Sequence, residues 1–142
     1  MKVLVVGNGG REYALAWKLL QSPQIEQVFC TPGNGGTQLL PNCQNIPVKV
    51  VDFEGITKAV TDNDVSLVVI GPELPLSLGI TDYLQTRNIK VFGPNQEGAK
   101  LESSKSYAKE FMKSAQIPTA ESKTFTEANL AKDYLKTKGA PI

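Results

Sequence analysis

Runs of apolar residues alternate with helical periodicity over the first 93 positions of the chain. Short runs rich in branched and aromatic side chains predict four strands, at residues 2–6, 27–30, 65–70 and 90–92. A further strand is predicted at 45–51, although Pro47 interrupts it. Apolar residues at helical spacing predict helices at 11–22, 53–62 and 78–87, with Asp52 as the N-cap of the second. This alternation with short connections predicts an α/β fold, a parallel sheet with helices on both faces.

The predicted strands end in segments that contain glycine or proline. Four such breaks are present, at residues 7–10, 32–36, 71–73 and 93–94. The second is expected to be a loop, because it is too rich in glycine for regular structure. Open parallel sheets bind ligands beyond the carboxyl ends of their strands, so four breaks at one edge indicate a binding site. The simpler interpretation is that glycine and proline only terminate the strands.

The pattern changes after Pro94. It predicts a helix, a strand and a second helix, at residues 97–116, 121–124 and 127–138. The last helix is expected to begin with Thr126 as its N-cap and to end at Gly139, and the final three residues resemble the entry to another strand. The apolar face of that helix has no sheet to cover. We therefore expect a less well anchored tail that is a candidate for self-association.

The charge balance of the chain is close to neutral, with 15 basic and 14 acidic residues and a formal net charge of +1. Such a chain has no global field that gathers nucleic acid, so we expect no nucleic-acid partner. No apolar run approaches the about 18 residues that span a membrane. The N-terminal apolar run ends in glycines, which indicates a strand and not a signal peptide. These features predict a cytoplasmic protein with no membrane partner.

The chain contains no histidine. Ser-His-Asp triads, Cys-His dyads and His-ligated zinc are therefore excluded for these 142 residues. Cys30 and Cys43 are thirteen positions apart, without a CxxC spacing. They are either two reduced thiols, as expected of a cytosolic protein, or a disulfide pair.

The first glycine-containing break has the start of a phosphate-binding turn. Gly7 and Gly9 follow a strand and open a helix, and Arg11 adds a positive charge with a forked donor geometry. A complete dinucleotide fingerprint has a third glycine at position 12, where Glu12 stands, and an acid after the second strand, which is absent. A nicotinamide-dependent oxidoreductase is therefore disfavoured. Glu12 itself is explained by the favourable position of an acid at a helix start.

Two further charged residues are candidates for ligand binding. Glu73 stands between two prolines after a predicted buried strand, where it could bind a ligand amine or hydroxyl, or could simply be a solvated loop acid. Lys105 lies in the first turn of a helix that Ser103 or Ser104 caps, against the helix dipole. That position indicates an anion such as a nucleotide phosphate, and the alternative is an exposed lysine on a lysine-rich helix.

A set of short motifs carries a family resemblance. The motifs are VVGNGGRE (5–12), PGNGGT (32–37), DFEG (52–55), VIGPELPL (69–76), VFGP (91–94), LESSK (101–105) and FM (111–112). In this order and spacing the chain resembles the phosphoribosylamine–glycine ligases, also called glycinamide ribonucleotide synthetases, over essentially all of its length. Each motif alone is weak, and the ordered set is specific.

The resemblance implies an ATP-grasp ligase of purine biosynthesis. Such an enzyme joins 5-phosphoribosylamine and glycine with ATP and Mg²⁺, giving glycinamide ribonucleotide, ADP and phosphate. It further implies a Rossmann-like pre-ATP-grasp domain at residues 1–100, then a linker helix and the beginning of an ATP-grasp domain at 101–142. The residues implied in substrate binding are Asn8, Gly9, Gly10, Arg11, Pro72 and Glu73. Lys105 is implied near the nucleotide phosphates, and no catalytic residue or metal ligand is assigned to this chain.

The chain departs from the family pattern in two respects. Tyr13 stands where the family usually has histidine, so any role of that histidine in proton transfer is in doubt here. Family members also continue beyond position 142 into the nucleotide-binding strand and the magnesium carboxylates. We therefore expect this chain alone to be an inactive N-terminal fragment. The alternative is a stand-alone phosphosugar-binding module without catalysis.

Overall fold

The computed structural model of the protein describes residues 1–139. The chain divides into two compact units, Met1–Ser103 and a second unit that begins at Ser104. The first contains all five strands, and within the part of the second that is described there are two helices. None of the described helices is long and apolar enough to cross a membrane.

The strands of the first unit form one sheet in which every neighbouring pair is parallel. They are β1 Lys2–Gly7, β2 Gln27–Pro32, β3 Cys43–Asn45, β4 Leu67–Ile70 and β5 Val91–Phe92. Their order across the sheet is β3-β2-β1-β4-β5, so the direction of strand addition reverses between β1 and β4. This reversal is the position at which open α/β sheets form ligand-binding crevices.

Helices cover both faces of the sheet, which confirms the predicted fold class. They are α1 Gly10–Leu19, α2 Gly35–Leu39, α3 Phe53–Asp62, α4 Glu73–Ser77, α5 Ile80–Gln85 and α6 Gln96–Ser103. Alternate side chains of β1 pack on opposite faces of the sheet. Leu4 and Val6 pack with side chains of α3 and α5, and Val3 and Val5 pack with those of α1. All four are fully buried, as expected for a central strand covered on both sides.

The third strand is shorter than predicted and lies earlier, at Cys43–Asn45 in place of 45–51. The Ile46 N–H still donates to the Cys30 carbonyl at 2.8 Å, but Pro47 has no N–H and the ladder ends there. Beyond it the chain stays against the sheet through the Thr31 hydroxyl, which donates to the Val48 carbonyl at 2.8 Å. The apolar alternation at 46, 48 and 50 therefore marks a packed segment without strand pairing.

Helix boundaries in the first unit differ from the predictions at three places. The first helix ends at Leu19 and not at 22. The glycine-rich segment predicted to be a loop contains α2, because the Asn34 side chain caps it by accepting from the N–H groups of Gly36 and Thr37. The helix predicted at 78–87 is α5 alone, preceded by the unpredicted α4, and Gly79 at φ +87° separates the two. Asp52 caps α3 as predicted, accepting from the Gly55 N–H at 2.9 Å.

The second unit contains α7 Lys105–Ser114 and α8 Ala128–Lys138. The single helix predicted at 97–116 is thus interrupted at Ser104, which caps α7 by accepting from the Tyr107 N–H. The strand predicted at 121–124 is wrong, because no strand lies beside it in the described second unit to supply ladder hydrogen bonds. Glu121 is instead paired with Lys138 at 2.6 Å.

The last helix begins one residue later than predicted. Glu127 is its N-cap without a side-chain cap, so the expected cap by Thr126 is wrong, whereas Gly139 ends the helix at φ +74° as predicted. The strand entry predicted at 140–142 lies outside the described residues.

The two units differ in how much apolar surface they bury. The first contains the whole buried core, whereas no residue from Ser104 to Gly139 is buried. Backbone amides in segments with few buried contacts exchange through openings of low free energy. We therefore expect amides of α8 to exchange with deuterium much faster than those of β4. Hydrogen exchange read by NMR or mass spectrometry checks this, and equal protection in Leu67–Ile70 and Ala128–Lys138 would contradict it.

Candidate functional site

Three of the four glycine-containing breaks meet at the carboxyl edge of the sheet, around the end of β1. The Gly33 N–H, after β2, donates to the Gly7 carbonyl at 3.1 Å. The Gly71 N–H, after β4, donates to the Val6 carbonyl at 3.0 Å. The fourth break, at Gly93, follows the neighbouring strand β5. The parallel topology thus brings these segments to one edge.

The centre of this edge is the carboxylate of Glu12. Its residue is only 2% exposed, although it lies in the first turn of α1. Oε2 accepts a hydrogen bond from the Gly9 N–H at 2.6 Å, and Oε1 accepts one from Nε of Arg11 at 2.7 Å. A buried carboxylate is strongly disfavoured unless such charge-assisted bonds replace its hydration. Glu12 therefore organises the loop, in addition to having the favourable position of an acid at a helix start that the sequence indicated.

Glycines at two strand ends provide the space that Glu12 occupies. A Cβ atom added to Gly7, at the end of β1, or to Gly71, after β4, would overlap the Glu12 side chain. Gly7 also has φ +134°, which side-chain-bearing residues rarely adopt. A glutamate can therefore stand at position 12, where a dinucleotide-binding turn has glycine, because the glycines at 7 and 71 leave room for its side chain.

Arg11 lies between two carboxylates. Beyond its bond to Glu12, its Nη2 is 3.8 Å from Oε2 of Glu73, and both Arg11 and Glu73 side chains are about half exposed, at 51% and 56%. The hydrogen bond to Glu12 is the main cause that raises the pKa of Arg11 above its ordinary value. The guanidinium has five N–H donors. Those not directed at Glu12 remain for Glu73 and for a ligand.

The residues predicted to bind substrate lie close together, but they are not all equally available. Gly9 already donates its N–H to Glu12, so this N–H is not free for a phosphate. Gly10 and Arg11 are the first two helical residues of α1, and a helix provides no internal acceptor for their N–H groups. Pro72 is the N-cap of α4, and Glu73 is its first residue.

The backbone of Asn8 accepts a hydrogen bond from the side chain of Asn34, and the sequence did not reveal this interaction. Nδ2 of Asn34 donates to the carbonyls of Asn8 and Gly9, both at 3.1 Å, while its Oδ1 caps α2. Asn45, on β3, donates from Nδ2 to the Asn34 carbonyl at 2.9 Å. The first and second breaks are thus joined by one asparagine side chain. The glycines around Asn34 were interpreted as a loop at the edge of the predicted site, and this hydrogen-bonding role of Asn34 was not predicted.

Tyr13 and Lys105 occupy distinct environments. The Tyr13 ring lies against Gly36, where an added Cβ would be 2.9 Å from its Cδ2. It therefore packs on the start of α2. Lys105 belongs to the second unit, where it is the exposed first residue of α7, next to Ser104, one of the two predicted caps. Within residues 1–139 no three His, Cys, Asp or Glu side chains cluster as metal ligands.

Comparison with known proteins identifies the family. The family model "Phosphoribosylglycinamide synthetase, N domain" matches residues 1–102, and "Phosphoribosylglycinamide synthetase, ATP-grasp (A) domain" matches residues 103–142. This chain belongs to the phosphoribosylglycinamide synthetase family. The resemblance inferred from the motifs is thereby confirmed.

Curated relatives from bacteria agree with this family. A phosphoribosylamine–glycine ligase of Nostoc sp. is 62% identical over all 142 residues, which cover 33% of that protein. Those of Salmonella typhi and Synechocystis sp. are 48% and 49% identical over the whole chain, which covers 33% and 34% of them. The chain spans about a third of the length of these relatives.

Solved structures share the fold at low sequence identity. The biotin carboxylase of Campylobacter jejuni, in complex with β-γ-ATP, has a TM-score of 0.69 and 19% identity, with 98% of this chain and 34% of that one covered. The biotin carboxylase domain of a Hydrogenobacter thermophilus 2-oxoglutarate carboxylase, solved with MgADP, has a TM-score of 0.68 and 20% identity, with 99% and 33% covered. These likenesses establish the fold and nothing further.

The space around Glu12 gives a prediction about stability. Gly71→Ala places a methyl group on the Glu12 carboxylate and should lower the free energy of unfolding by roughly 1–3 kcal/mol, as overpacking does. Gly10→Ala is the matched control, because an added Cβ there has no atom within 4 Å. Urea unfolding followed by circular dichroism measures both. Equal midpoints for the two variants would contradict the proposed packing of Glu12 against Gly71.

Proposed function

We propose that this chain supplies the phosphoribosylamine-binding part of a phosphoribosylamine–glycine ligase. The whole enzyme would join glycine to 5-phosphoribosylamine at the expense of ATP, giving glycinamide ribonucleotide, ADP and phosphate. The family match and the names of the relatives support the reaction. The residues around Arg11 support the assignment of substrate binding to the carboxyl edge of the sheet.

The observation that carries the proposal is the position of Arg11 between Glu12 and Glu73. Arg11 is a donor only, and an ionised Glu73 is an acceptor only. A group that touches both must therefore donate and accept hydrogen bonds at once. Sugar hydroxyls meet this requirement, and an amine bound to a sugar can donate to Glu73. With Arg11 and Glu73 3.8 Å apart, one ribose spans both.

The phosphate would lie at the start of α1, apart from Glu12. The N–H groups of Gly10 and Arg11 face outward from the positive end of the helix, where anions are favoured. The Glu12 carboxylate repels a phosphate from the Gly9 N–H, which it already occupies. The same carboxylate fixes the Nε side of Arg11, so the remaining donors of the guanidinium are held in one orientation. Asn8 and Pro72 would line the two sides of this site.

The nucleotide-binding role proposed for this chain is limited to Lys105. An exposed cation beside the first N–H groups of α7 fits one phosphate contact. ATP bound there would supply the activating phosphoryl group. We assign no magnesium ligand to this chain.

We expect no ligase turnover from these residues alone, and phosphate release that depends on glycine and phosphoribosylamine would contradict this.

Binding of ribose 5-phosphate tests the proposed site. Arg11→Ala should weaken binding by roughly 1–3 kcal/mol, because a charge-assisted hydrogen bond is lost. Glu73→Gln should weaken ribose 5-phosphate more than inorganic phosphate, since its partner is the sugar. Arg87→Ala and Glu26→Gln are matched controls, because both residues lie outside the carboxyl edge, after α5 and before β2. Titrations followed by amide chemical shifts give the affinities.

Two results would contradict the proposed site. One is a set of ligand-induced shifts that avoids residues 7–13 and 71–76. The other is an affinity of Arg11→Ala equal to that of Arg87→Ala, which would make Arg11 a solvated charge at a helix end.

A further inference from the structure

The two cysteines of the chain lie side by side on neighbouring strands. Cys30 is on β2 and Cys43 on β3, both are free thiols, and their Sγ atoms are 3.7 Å apart. We propose that Cys30 and Cys43 form a reversible dithiol–disulfide site, which a hydroperoxide oxidises to an intrachain disulfide. The sequence left reduced thiols and a disulfide as alternatives. Because the sulfurs lie so close together, we expect the chain to change from one state to the other.

The strand register shows which element would move. β2 and β3 pair Val28 with Cys43 and Cys30 with Asn45, so the two cysteines are two residues out of register. At a rise of about 3.3 Å per residue their backbones are displaced by about 7 Å along the strands, and the sulfurs approach along a diagonal. A disulfide requires the sulfurs to approach to about 2.0 Å. β3 is a three-residue edge strand, so it offers the least resistance to this shift.

The two thiols have different exposure and acidity, which suits them to different steps. Cys30 is fully buried, whereas Cys43 is partly exposed. A hydrogen bond joins the Cys30 and Cys43 sulfurs, and this interaction lowers the pKa of Cys43. The same interaction, together with burial, raises the pKa of Cys30. Cys43 is therefore the thiolate that meets the oxidant, and Cys30 is the resolving thiol.

The chemistry needs only the hydroperoxide as co-reactant. The Cys43 thiolate attacks one peroxide oxygen, the O–O bond breaks, and the departing hydroxide or alkoxide takes a proton from solvent, which leaves Cys43 as a sulfenic acid. The Cys30 sulfur then attacks the Cys43 sulfur, the S–O bond breaks, and the departing hydroxide takes the Cys30 proton as water. With hydrogen peroxide, two thiols lose two electrons in total and the peroxide becomes two waters. A small dithiol restores the original state by exchange.

Hydrogen bonds of Asn45 and Asn34 connect the cysteine pair to the carboxyl edge of the sheet. Asn45, on the strand that would shift, accepts from the Thr37 hydroxyl at 2.7 Å and donates to the Asn34 carbonyl. Asn34 in turn donates to the Gly9 carbonyl. Movement of β3 would therefore reach the Gly9 segment. Any consequence for ligand binding rests on the proposed function, whereas disulfide formation does not.

Mass spectrometry of the native chain after hydrogen peroxide treatment tests the proposal. We expect the intact mass to fall by two hydrogen atoms, a cross-linked peptide that contains both cysteines, monomeric mobility on a non-reducing gel, and full reversal by dithiothreitol. Because the chain has only two cysteines, the assignment is unambiguous. Cys30→Ser should stop at a sulfenic acid on Cys43 that dimedone traps. Cys43→Ser should leave the buried Cys30 unmodified under the same treatment.

Two outcomes would overturn the disulfide. One is a wild-type chain that goes to sulfinic acid on Cys43 while Cys30 stays reduced, and the other is a disulfide between two chains. Both are read on the wild-type protein, so they do not depend on how a variant folds. Amide shifts after oxidation test the connection to the edge. Shifts at Asn34, Asn45 and Gly9 support it, and shifts confined to residues 28–30 and 42–44 overturn it. Failure of ribose 5-phosphate to bind would affect only the proposed function.

Discussion

The carboxyl edge of this protein depends on the burial of one carboxylate. Glu12 lies at the reversal of strand order, with one oxygen on the Gly9 N–H and the other on Arg11. Removing a carboxylate from water costs several kcal/mol unless hydrogen bonds and an opposite charge offset it. The offset here comes from the turn after β1 and the residue next to Glu12. The conformation of the turn and the orientation of Arg11 are therefore consequences of the same burial.

The same constraint explains what the glycines do. In a dinucleotide-binding turn, the second glycine lets the backbone approach the phosphate, and the third lets the helix pack closely against the strand. Here a glutamate stands at that position, and Gly7 and Gly71 make room for it. Oε2 of Glu12 accepts a hydrogen bond from the Gly9 N–H, which a phosphate would otherwise use. The edge consequently offers a mixture of guanidinium donors and carboxylate acceptors, which suits a sugar with hydroxyls better than a bare anion.

The fold could be predicted from the sequence because the decisive signals are local. The apolar strand at Leu67–Ile70 and the Asp52 cap each predict their own element without reference to anything distant. The failures arose where a distant or single interaction decides. Asn34 turns a glycine-rich segment into a short helix. The segment 121–124 was predicted to be a strand, but no strand lies beside it in the described second unit. Neither the cap by Asn34 nor the lack of a neighbouring strand can be inferred from the residues of the segment itself.

Much of the site was predictable for a related reason. Arg11 and Glu73 were identified because strand ends in a parallel sheet converge, and the structure brings the two side chains to 3.8 Å. Glu12 was missed because an acid in the first helical turn has an adequate local explanation, and its burial depends on Gly71, which is 59 positions away. Asn34 was missed because its acceptors, at Asn8 and Gly9, belong to another loop.

The central claim, that Glu12 organises this edge, is tested most directly by Glu12→Gln with Glu54→Gln as its control. Both acids lie in the first turn of a helix, but Glu54 is exposed. Glutamine keeps the shape of Glu12 but turns an N–H₂ group toward one of its two donors. Amide spectra of Glu12→Gln should show shifts at Gly9, Arg11 and Gly71 and lost exchange protection of the Gly9 amide, with none of these in Glu54→Gln. Changes confined to the first turn of α1 in Glu12→Gln, equal in size to those in the control, would contradict the account.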